Sequence, residues 1–235
     1  VFFDFEEGVR GISEAASKLS FNKKNPIPII SGNVSFYNES KQGNAVIASP
    51  VVCTLGRIND ISDSKCIQLF DENLELILIG KRYNEFAGTQ IIDSIIDDEH
   101  VAPQVRFEDE RNQNQSILEL YSNDLVEACH DISTGGMWLA LLEMLFGERG
   151  NISVGVEIDF KAEQDPLSFL FSENGGYIIA TKNLTSSLKI LDTLNVEYVH
   201  IGKTIKEKEL LMSINNSKLN FDLLNLETDW NSFNS

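Results

Sequence analysis

The sequence predicts a layered α/β protein, and three features of the chain lead to this prediction. Short apolar segments that suit strands alternate with segments of helical periodicity between about residues 74 and 214. A cluster of turn-forming residues, Asn59–Ser64, separates this region from an upstream one and is the best candidate domain boundary. The length of 235 residues suits one large domain or two modest ones.

The upstream region begins with an amphipathic helix over residues 1–19, where apolar side chains recur at helical spacing. No initiator Met precedes this pattern, so we expect the sequence to be a fragment. Pro26 and Pro28 disfavour helix in the residues before them. A polar loop follows over Ser31–Glu39, and the β-forming residues of 46–58 predict a β-rich segment.

The downstream region supplies most of the expected sheet. Its pattern predicts strands at 74–80, 126–129, 153–158, 176–181, 197–203 and 209–214. Helices are predicted at 87–96, 110–123, 136–147 and 184–194, followed by a weakly helical tail at 219–230. The 136–147 helix is apolar on most of its faces, so we expect it to lie between a sheet and another layer.

The composition excludes several classes of partner. A formal net charge of -17 repels phosphate backbones at long range, so we expect no nucleic acid partner. We also expect no membrane association, because no apolar run reaches the roughly 20 residues of a membrane-spanning helix. Cys53, Cys66 and Cys129 are widely spaced, which predicts buried reduced thiols and a cytoplasmic location rather than a zinc site.

The loop Ser31-Gly32-Asn33-Val34-Ser35 has the residues of a nucleotide and metal site. A glycine lets the backbone approach a phosphate, and the carbonyl oxygen of Asn33 is an acceptable Mg²⁺ ligand. The hydroxyl of Ser35 points to the same side as Asn33 if the backbone is extended. An ordinary turn made of Ser, Gly and Asn explains the same residues, so the residues alone leave both interpretations open.

Two further loops contain candidate functional residues, His130-Asp131-Ile132-Ser133-Thr134-Gly135-Gly136 and Phe171-Ser172-Glu173-Asn174-Gly175-Gly176. In the first, His130 and Asp131 suit a base and its orienter, beside a helix N-terminus that could face an anion. The alternative is a helix cap from Asp131, Ser133 or Thr134, with glycines that permit close packing. The second loop either holds a phosphate or forms a plain turn, and the acidic runs 97–99 and 108–110 are interpreted as solvated surface.

The order of these three loops resembles that of the phosphoribosylformylglycinamidine synthase family. Pro28–Glu39 is similar to the family's SGNVSLYNE segment, and Pro50 follows at the expected place. The element His130–Gly136 is shared with relatives such as aminoimidazole ribonucleotide synthetase, and Asp165–Glu173 resembles a later DPL…FGES segment. The resemblance covers nearly the whole chain.

The resemblance implies a domain division and a fold for each part. Residues 1–63 would be the end of the second ATP-binding-type α/β domain of the family. Residues 64–235 would be the whole layered α/β C-terminal domain, of the aminoimidazole ribonucleotide synthetase type. The loop after Glu173 departs from its counterpart in the family's first half, which grips substrate. We therefore expect the C-terminal domain to be structural, or at most to hold an inert nucleotide.

The resemblance also implies an activity, a ligase reaction of purine biosynthesis that uses ATP and Mg²⁺. Formylglycinamide ribonucleotide and ammonia from a separate glutaminase component would give formylglycinamidine ribonucleotide, through phosphoryl transfer to the substrate amide oxygen. Carried over by position, Gly32 contacts ATP, Asn33 ligates Mg²⁺ and Ser35 touches the substrate. Because the N-terminal half of the same enzyme forms most of that site, no catalytic residue is assigned here and the chain alone would be inactive.

Two other interpretations remain open. The chain could belong to another synthetase of the same superfamily, of the selenophosphate or hydrogenase-maturation type, although the Ser31–Glu39 string argues against those. It could also be a non-catalytic interaction or scaffold domain.

Overall fold

The computed structural model describes residues 2–21, 25–32, 39–46, 49–92, 101–147, 151–161 and 165–233. The chain divides into two compact units, Val1–Asn59 and Asp60–Ser235. The first unit therefore ends at Asn59, whereas the expected first domain ended at Asp63. Each unit is described by itself below.

The first unit begins with helix α1 (Phe2–Lys18), which confirms the amphipathic helix expected from the sequence. Asp4 in its first turn and Lys18 in its last turn match the charges that the helix dipole favours. The predicted β-rich segment is wrong in its described part, since residues 49–58 contain no strand. Side chains such as Val51 and Leu55 are exposed, and a strand without a partner gains too little from β propensity to form.

The second unit is built on one seven-stranded sheet with the order β2-β4-β1-β5-β3-β6-β7. Its strands are β1 (Glu75–Ile79), β2 (Ala128–Asp131), β3 (Gly155–Phe160), β4 (Tyr177–Thr181), β5 (Tyr198–Ile205), β6 (Glu209–Ile214) and β7 (Ser217–Asp222). All neighbouring strands are antiparallel except β3 and β6, which run parallel. The first six strands were predicted within a few residues, and β7 was missed because its short polar sequence has weak alternation.

Helices of the second unit cover both faces of this sheet. They are α2 (Phe107–Ser122), α3 (Gly136–Phe146), α4 (Pro166–Phe171), α5 (Leu184–Thr193) and α6 (Leu223–Phe233). Proline at the first position of α4 and the Asp165 side chain, which accepts from the Ser168 amide at 3.1 Å, start that short helix. The helix predicted at 87–96 is wrong over 87–91, which form turns, and 93–96 lie outside the described residues.

Strand β1 shows how the two helical layers are organised. Leu76 and Leu78 join an apolar cluster that contains residues of α3, α4 and α6, whereas Ile77 and Ile79 join a second cluster with residues of α2 and α5. Alternate residues of a strand point to opposite faces, so a sheet buried on both faces reads as a continuous apolar run. The layered α/β class is thus confirmed, and most residues of α3 are buried between the sheet and other helices, as expected.

Three loops meet at one edge of the sheet because of the strand directions. Tyr177, the first residue of β4, pairs with Ile79 at the end of β1 and with Asp131 at the end of β2. The loop after β1, the loop after β2 and the loop before β4 therefore lie side by side. Two of these loops carry motifs singled out from the sequence.

Candidate functional site

The loop with the strongest sequence signal lies in the first unit and is only partly described. Asn33 and Ser35 lie outside the described residues. Gly32 is exposed, and no described atom lies within 4 Å of the position that a Cβ would occupy there. Its φ is not in the left-handed region, so neither the backbone conformation nor packing against the described residues requires a glycine at this position.

The other two motif loops meet in the second unit. The Glu173 Oε1 atom accepts hydrogen bonds from the backbone amides of Gly135 at 2.8 Å and Gln90 at 3.1 Å. The Ile132 amide donates to the Gly176 carbonyl at 2.8 Å. Glu173 therefore ties the loop before β4 to the loop after β2 and to the turn that follows β1.

The N-terminus of α3 faces an anion, and that anion is the protein's own Glu173 carboxylate. The amide that it accepts from belongs to Gly135, the N-cap of α3. A carboxylate at this end of a helix is favoured by the free amides and the helix dipole. The predicted side-chain cap from Asp131, Ser133 or Thr134 is wrong. The N-cap residue is Gly135, and the helix has no side-chain cap hydrogen bond.

The glycines of this loop are required by close packing, as the sequence predicted. Gly136 has a φ of 68°, and a Cβ there would lie 2.7 Å from the Leu170 carbonyl oxygen and 2.8 Å from the Phe171 Cα. Both contacts are with backbone atoms, which cannot move aside as a flexible side chain can. This position therefore fixes how closely α3 approaches the end of α4.

His130 lies on β2 with both ring nitrogens in contact with acceptors. Its Nε2 is 3.0 Å from the Glu143 Oε2 on α3, and its Nδ1 is 2.8 Å from the Asp131 carbonyl oxygen. The neighbouring Asp131 carboxylate is 3.4 Å from Nδ1, but the hydrogen-bond partner of Nδ1 is the Asp131 backbone carbonyl, so this carboxylate does not orient the ring through a hydrogen bond. With the second nitrogen at Glu143, however, the arrangement links a strand to a helix and presents no free base.

Sequence reasoning missed the most connected carboxylate of this edge, Glu85. It is 9% exposed and accepts hydrogen bonds from the Gln104 amide at 2.9 Å and the Asn174 Nδ2 at 2.7 Å. The Arg106 guanidinium pairs with both of its oxygens, at 2.5 and 3.1 Å, and lies over the Tyr83 ring at 3.5 Å. Hydrogen bonds from Arg106 hold the pKa of Glu85 below its ordinary value.

Buried Arg82 supports the loop before β4 from the other side. It is 3% exposed, and its guanidinium donates to the carbonyl oxygens of Gly175 and Ser172. Burial lowers its pKa to about 10. The partners of Arg82 and Glu85 lie about 20 to 90 residues away in sequence, so no local spacing could have identified either residue.

We expect Glu85→Gln to destabilise the protein by about 2 kcal/mol near neutral pH, because an amide cannot pair with Arg106 as a carboxylate does. The folded-state pKa of Glu85 lies below its ordinary value of 4.5, so its stabilisation is present above that pH. It is lost as the pH falls through the lowered folded-state pKa. Urea denaturation of both proteins from neutral to acidic pH measures this difference.

The exposed Glu207→Gln variant is the control for this experiment, since it makes the same charge change away from the network. Its effect should be within about 0.5 kcal/mol at every pH. A Glu85→Gln difference that does not change with pH would contradict the assignment.

The described residues contain no group of three or more His, Cys, Asp or Glu side chains that could hold a metal ion. A Mg²⁺ ion ligated by Asn33 would take its remaining ligands from phosphate, water or residues beyond the described part of the chain. The arrangement at the sheet edge is instead a closed set of internal hydrogen bonds. Its carboxylates, Glu85 and Glu173, already have internal donors.

Two remaining expectations concern the cysteines and the membrane. All three cysteines are free, but Cys53 and Cys66 are exposed, so the expectation of burial is wrong for them. Cys129 is partly buried, and burial raises the pKa of its thiol to about 11. Among the helices that the structure describes, none combines the length and apolar character of a membrane span.

Comparison with known proteins places this fold in a family. Residues 72–214 match the family described as AIR synthase related protein, C-terminal domain. The chain therefore belongs to the AIR synthase related proteins through that domain. The match covers the sheet from β1 through β6, with the Glu85 network and both motif loops of the second unit.

Within this class, the chain is similar to PurL proteins. It is 34% identical over 207 residues to the phosphoribosylformylglycinamidine synthase subunit PurL of Methanothrix thermoacetophila, a match that covers 86% of this chain and 25% of that one. Structures of T. maritima PurL complexed with FGAR and with ATP share the fold, with TM-scores of 0.58 and 0.56. Each of the two is 15% identical to this chain in sequence and matches 71% of it. The match covers 30% of the PurL chain in the FGAR complex and 28% of the PurL chain in the ATP complex.

The chain spans only about a quarter of the Methanothrix relative. The matched 207 residues nevertheless exceed the length of the Asp60–Ser235 unit, so the similarity extends into the first unit.

Proposed function

We propose that this chain is the C-terminal portion of a phosphoribosylformylglycinamidine synthase. In this role it would contribute to the ATP- and Mg²⁺-dependent conversion of formylglycinamide ribonucleotide and ammonia to formylglycinamidine ribonucleotide. The observation that carries the proposal is the 34% identity to a PurL subunit over 86% of the chain, across both structural units. The ammonia would come from a separate glutaminase component.

In this proposal the two domains expected from the sequence, residues 1–63 and 64–235, have different tasks. Residues 1–63 carry the Ser31–Ser35 loop, in which Gly32 contacts ATP, Asn33 ligates Mg²⁺ and Ser35 touches the substrate. No described atom lies within 4 Å of the position of a Cβ at Gly32, and this supports the role because a glycine without a side chain permits the close approach of a phosphate. Residues 64–235 have a mainly structural task, because internal donors already occupy Glu85 and Glu173.

Mg²⁺ would supply charge neutralisation on the phosphates, and this chain's part is to orient ligands around it. Asn33 offers one neutral oxygen. Ser35 offers a hydroxyl that can hold the substrate near the transferred phosphoryl group. The carboxylates and histidines that the reaction needs would come from the N-terminal half of the same enzyme.

Exposed apolar side chains of the first unit support a contact with that half. Helix α1 has no buried residue, and Phe2 and Phe3 on it are 80% and 69% exposed. Val51 is 96% exposed. Clusters of exposed large apolar side chains mark surfaces that another protein segment covers.

We also propose a cytoplasmic location, because free thiols persist in a reducing compartment.

A chimera tests the proposal directly. This chain would replace the matching C-terminal part of the Methanothrix thermoacetophila PurL subunit, and formylglycinamidine ribonucleotide formation would be measured with ATP, Mg²⁺ and ammonium. We expect product from the chimera, and none from the truncated relative or from this chain alone. A monodisperse chimera that binds ATP but forms no product would contradict the proposal, as would turnover by this chain alone.

A further inference from the structure

Strand β7 forms one edge of the sheet of the second unit, and its outer side is open. It pairs with β6 and is the last strand in the sheet order, so no described strand lies on its other side. Five of its six residues are exposed, and the apolar side chain of Leu219 is 52% exposed. An open edge of this kind presents unpaired backbone N–H and C=O groups, to which another strand can bind.

The turn before β7 determines which of its backbone groups face outward. Asn215 and Asn216 join β6 to β7 with φ values of 50° and 69°, as in a two-residue type I′ turn. The pair that flanks such a turn, here Ile214 and Ser217, exchanges hydrogen bonds. Because hydrogen-bonded pairs alternate along antiparallel strands, every second residue of β7 directs its N–H and C=O groups away from β6. These residues are Lys218, Asn220 and Asp222.

A second copy of the same strand can pair with this edge in an antiparallel arrangement around a two-fold axis. Since the outward groups are centred on Asn220, an axis through this residue brings all of them into the pairing. Asn220 then lies opposite its own copy, and Lys218 lies opposite Asp222 of the second copy. The two strands would exchange about four to six backbone hydrogen bonds.

The same register also brings opposite charges together. Lysine on an edge strand commonly discourages the addition of another strand. In this register, however, each Lys218 faces the Asp222 carboxylate of the other copy, and opposite charges directly across a pair of strands are stabilising. An axis through Leu219 would place Lys218 opposite Asn220 and would lose both charge pairs. On the other face of the strand, Leu219 meets Phe221 of the second copy, which covers part of its exposed apolar surface.

Asp222 lies beside a second negative charge in its own chain. Directly opposite it on β6 is Glu209, and like charges at such positions are destabilising. Neither carboxylate has an ion-pair partner among the described lysine and arginine side chains. The Oδ1 of Asp222 accepts from the amides of Leu224 and Asn225 at 2.9 and 3.2 Å, which leaves Oδ2 for a cation. Lys218 of a second copy would supply that cation.

The other charges on this face of the sheet do not replace that contact. Ser213 of β6 lies opposite Lys218, and Asp159 of β3 lies opposite Ser213, so Asp159 is two strands away from Lys218. Glu157 of β3 is 3.8 Å from the Lys203 ammonium of β5 and is thus already paired. Lys218 makes no ion pair with the acidic side chains that the structure describes, so its charge is available to a second copy.

We propose that β7 is a self-association surface, on which two copies of this chain join their sheets edge to edge with Lys218 of each copy beside Asp222 of the other. One strand from each copy makes a small contact, so we expect a weak dimer with a dissociation constant of about 10–100 µM. The net charge of -17 on each copy opposes association at long range, whereas the paired charges act at short range. The proposal is independent of the synthase function, because it involves none of the residues of the Ser31–Ser35 loop.

Sedimentation equilibrium of the 235-residue chain tests this proposal at about 0.15 M salt, where repulsion between the copies is screened beyond about 8 Å. We expect a reversible equilibrium between monomer and dimer. Asn220→Pro removes an outward N–H at the axis and keeps the hydrogen bonds to β6, and Lys218→Glu places like charges opposite each other. Each should weaken association at least tenfold. Lys206→Glu is the control, since it makes the same charge change in the turn before β6 and should stay within twofold.

Mixing two variants separates a direct contact from an indirect effect. Lys218→Glu and Asp222→Lys each create like-charge pairs across the axis, so neither should dimerise alone. In the mixture the facing positions carry opposite charges, so we expect a heterodimer with an affinity close to that of the unmodified chain. Circular dichroism checks that Asp222→Lys is folded, because this change also removes the hydrogen bonds to the start of α6.

Three results would overturn the proposal. The first is an unmodified chain that remains monomeric up to about 500 µM. The second is equal association of Asn220→Pro and Lys206→Glu, which would place the contact on another surface. The third is a mixture of folded Lys218→Glu and Asp222→Lys chains that contains no more dimer than the separate variants.

Discussion

Asn33→Ala in the chimeric synthase is expected to lower formylglycinamidine ribonucleotide formation by about 10–100-fold at limiting Mg²⁺. Even groups that only orient a metal ligand typically contribute this much to metal affinity or activity, and a direct ligand should contribute no less. Raising the Mg²⁺ concentration should restore part of the rate, because the variant weakens metal binding and leaves the other ligands intact. The measurement is the initial rate as a function of Mg²⁺ concentration at saturating ATP.

Asn44→Ala is the matched control, since Asn44 belongs to the same unit and lies outside the proposed ligand loop. Its rate and its Mg²⁺ dependence should equal those of the unmodified chimera. An unchanged Mg²⁺ response in Asn33→Ala would remove Asn33 from the ligand set. A loss of rate that no Mg²⁺ concentration restores would point to a structural role, as expected for a scaffold domain with a plain turn at this position.

Gly136→Ala is expected to destabilise the second unit by about 2–5 kcal/mol. Its φ of 68° costs an alanine about 1–2 kcal/mol. The added methyl group would also lie within 2.8 Å of backbone atoms of Leu170 and Phe171, and overpacking of this kind costs about 1–3 kcal/mol more. Denaturant unfolding followed by circular dichroism measures the sum.

Gly88→Ala separates the two contributions. Gly88 has a φ of 81°, but no described atom lies within 4 Å of the position of its Cβ. The Gly88→Ala variant therefore has the unfavourable backbone conformation without the steric clash. Its free energy of unfolding should fall by only about 1–2 kcal/mol. Equal losses in the two variants would show that the approach of α3 to α4 is not limited by Gly136.

The sequence predicted the second unit better than the first. Strand β1 and helix α3 have apolar patterns that are typical of buried segments, and both were placed within a few residues. The 46–58 segment has equally strong β formers, yet its described residues form no strand. Propensity is local, whereas a strand also needs a partner. Among the described residues of this unit, the β pairing is limited to an isolated bridge between Glu39 and Ala45.

The sequence also indicated candidate residues that are contiguous in the chain better than residues that meet only in the folded structure. Gly32, Asn33 and Ser35 could be proposed from the sequence because they are contiguous and their order resembles a family string, and their roles stay predictions. The sequence singled out Glu173 only as part of a motif and did not indicate its partner. The Gly135 amide that donates to it at 2.8 Å is 38 residues away in the chain. Glu85 lies in no recognisable motif, because its donors come from two distant segments, one with Gln104 and Arg106 and one with Asn174.

By itself, the sequence determined the α/β class and the positions of most strands and helices of the second unit, and it predicted the Ser31–Ser35 segment as a candidate site. These features depend on periodicity, turn chemistry and contiguous strings, which act over a few residues. Only the tertiary structure decided that Glu173 is the anion at the N-terminus of α3 and that Glu85 accepts hydrogen bonds from several internal donors. The physical reason is that buried donors, acceptors and charges pair according to their positions in space. The strand order brings together groups that are far apart in the chain.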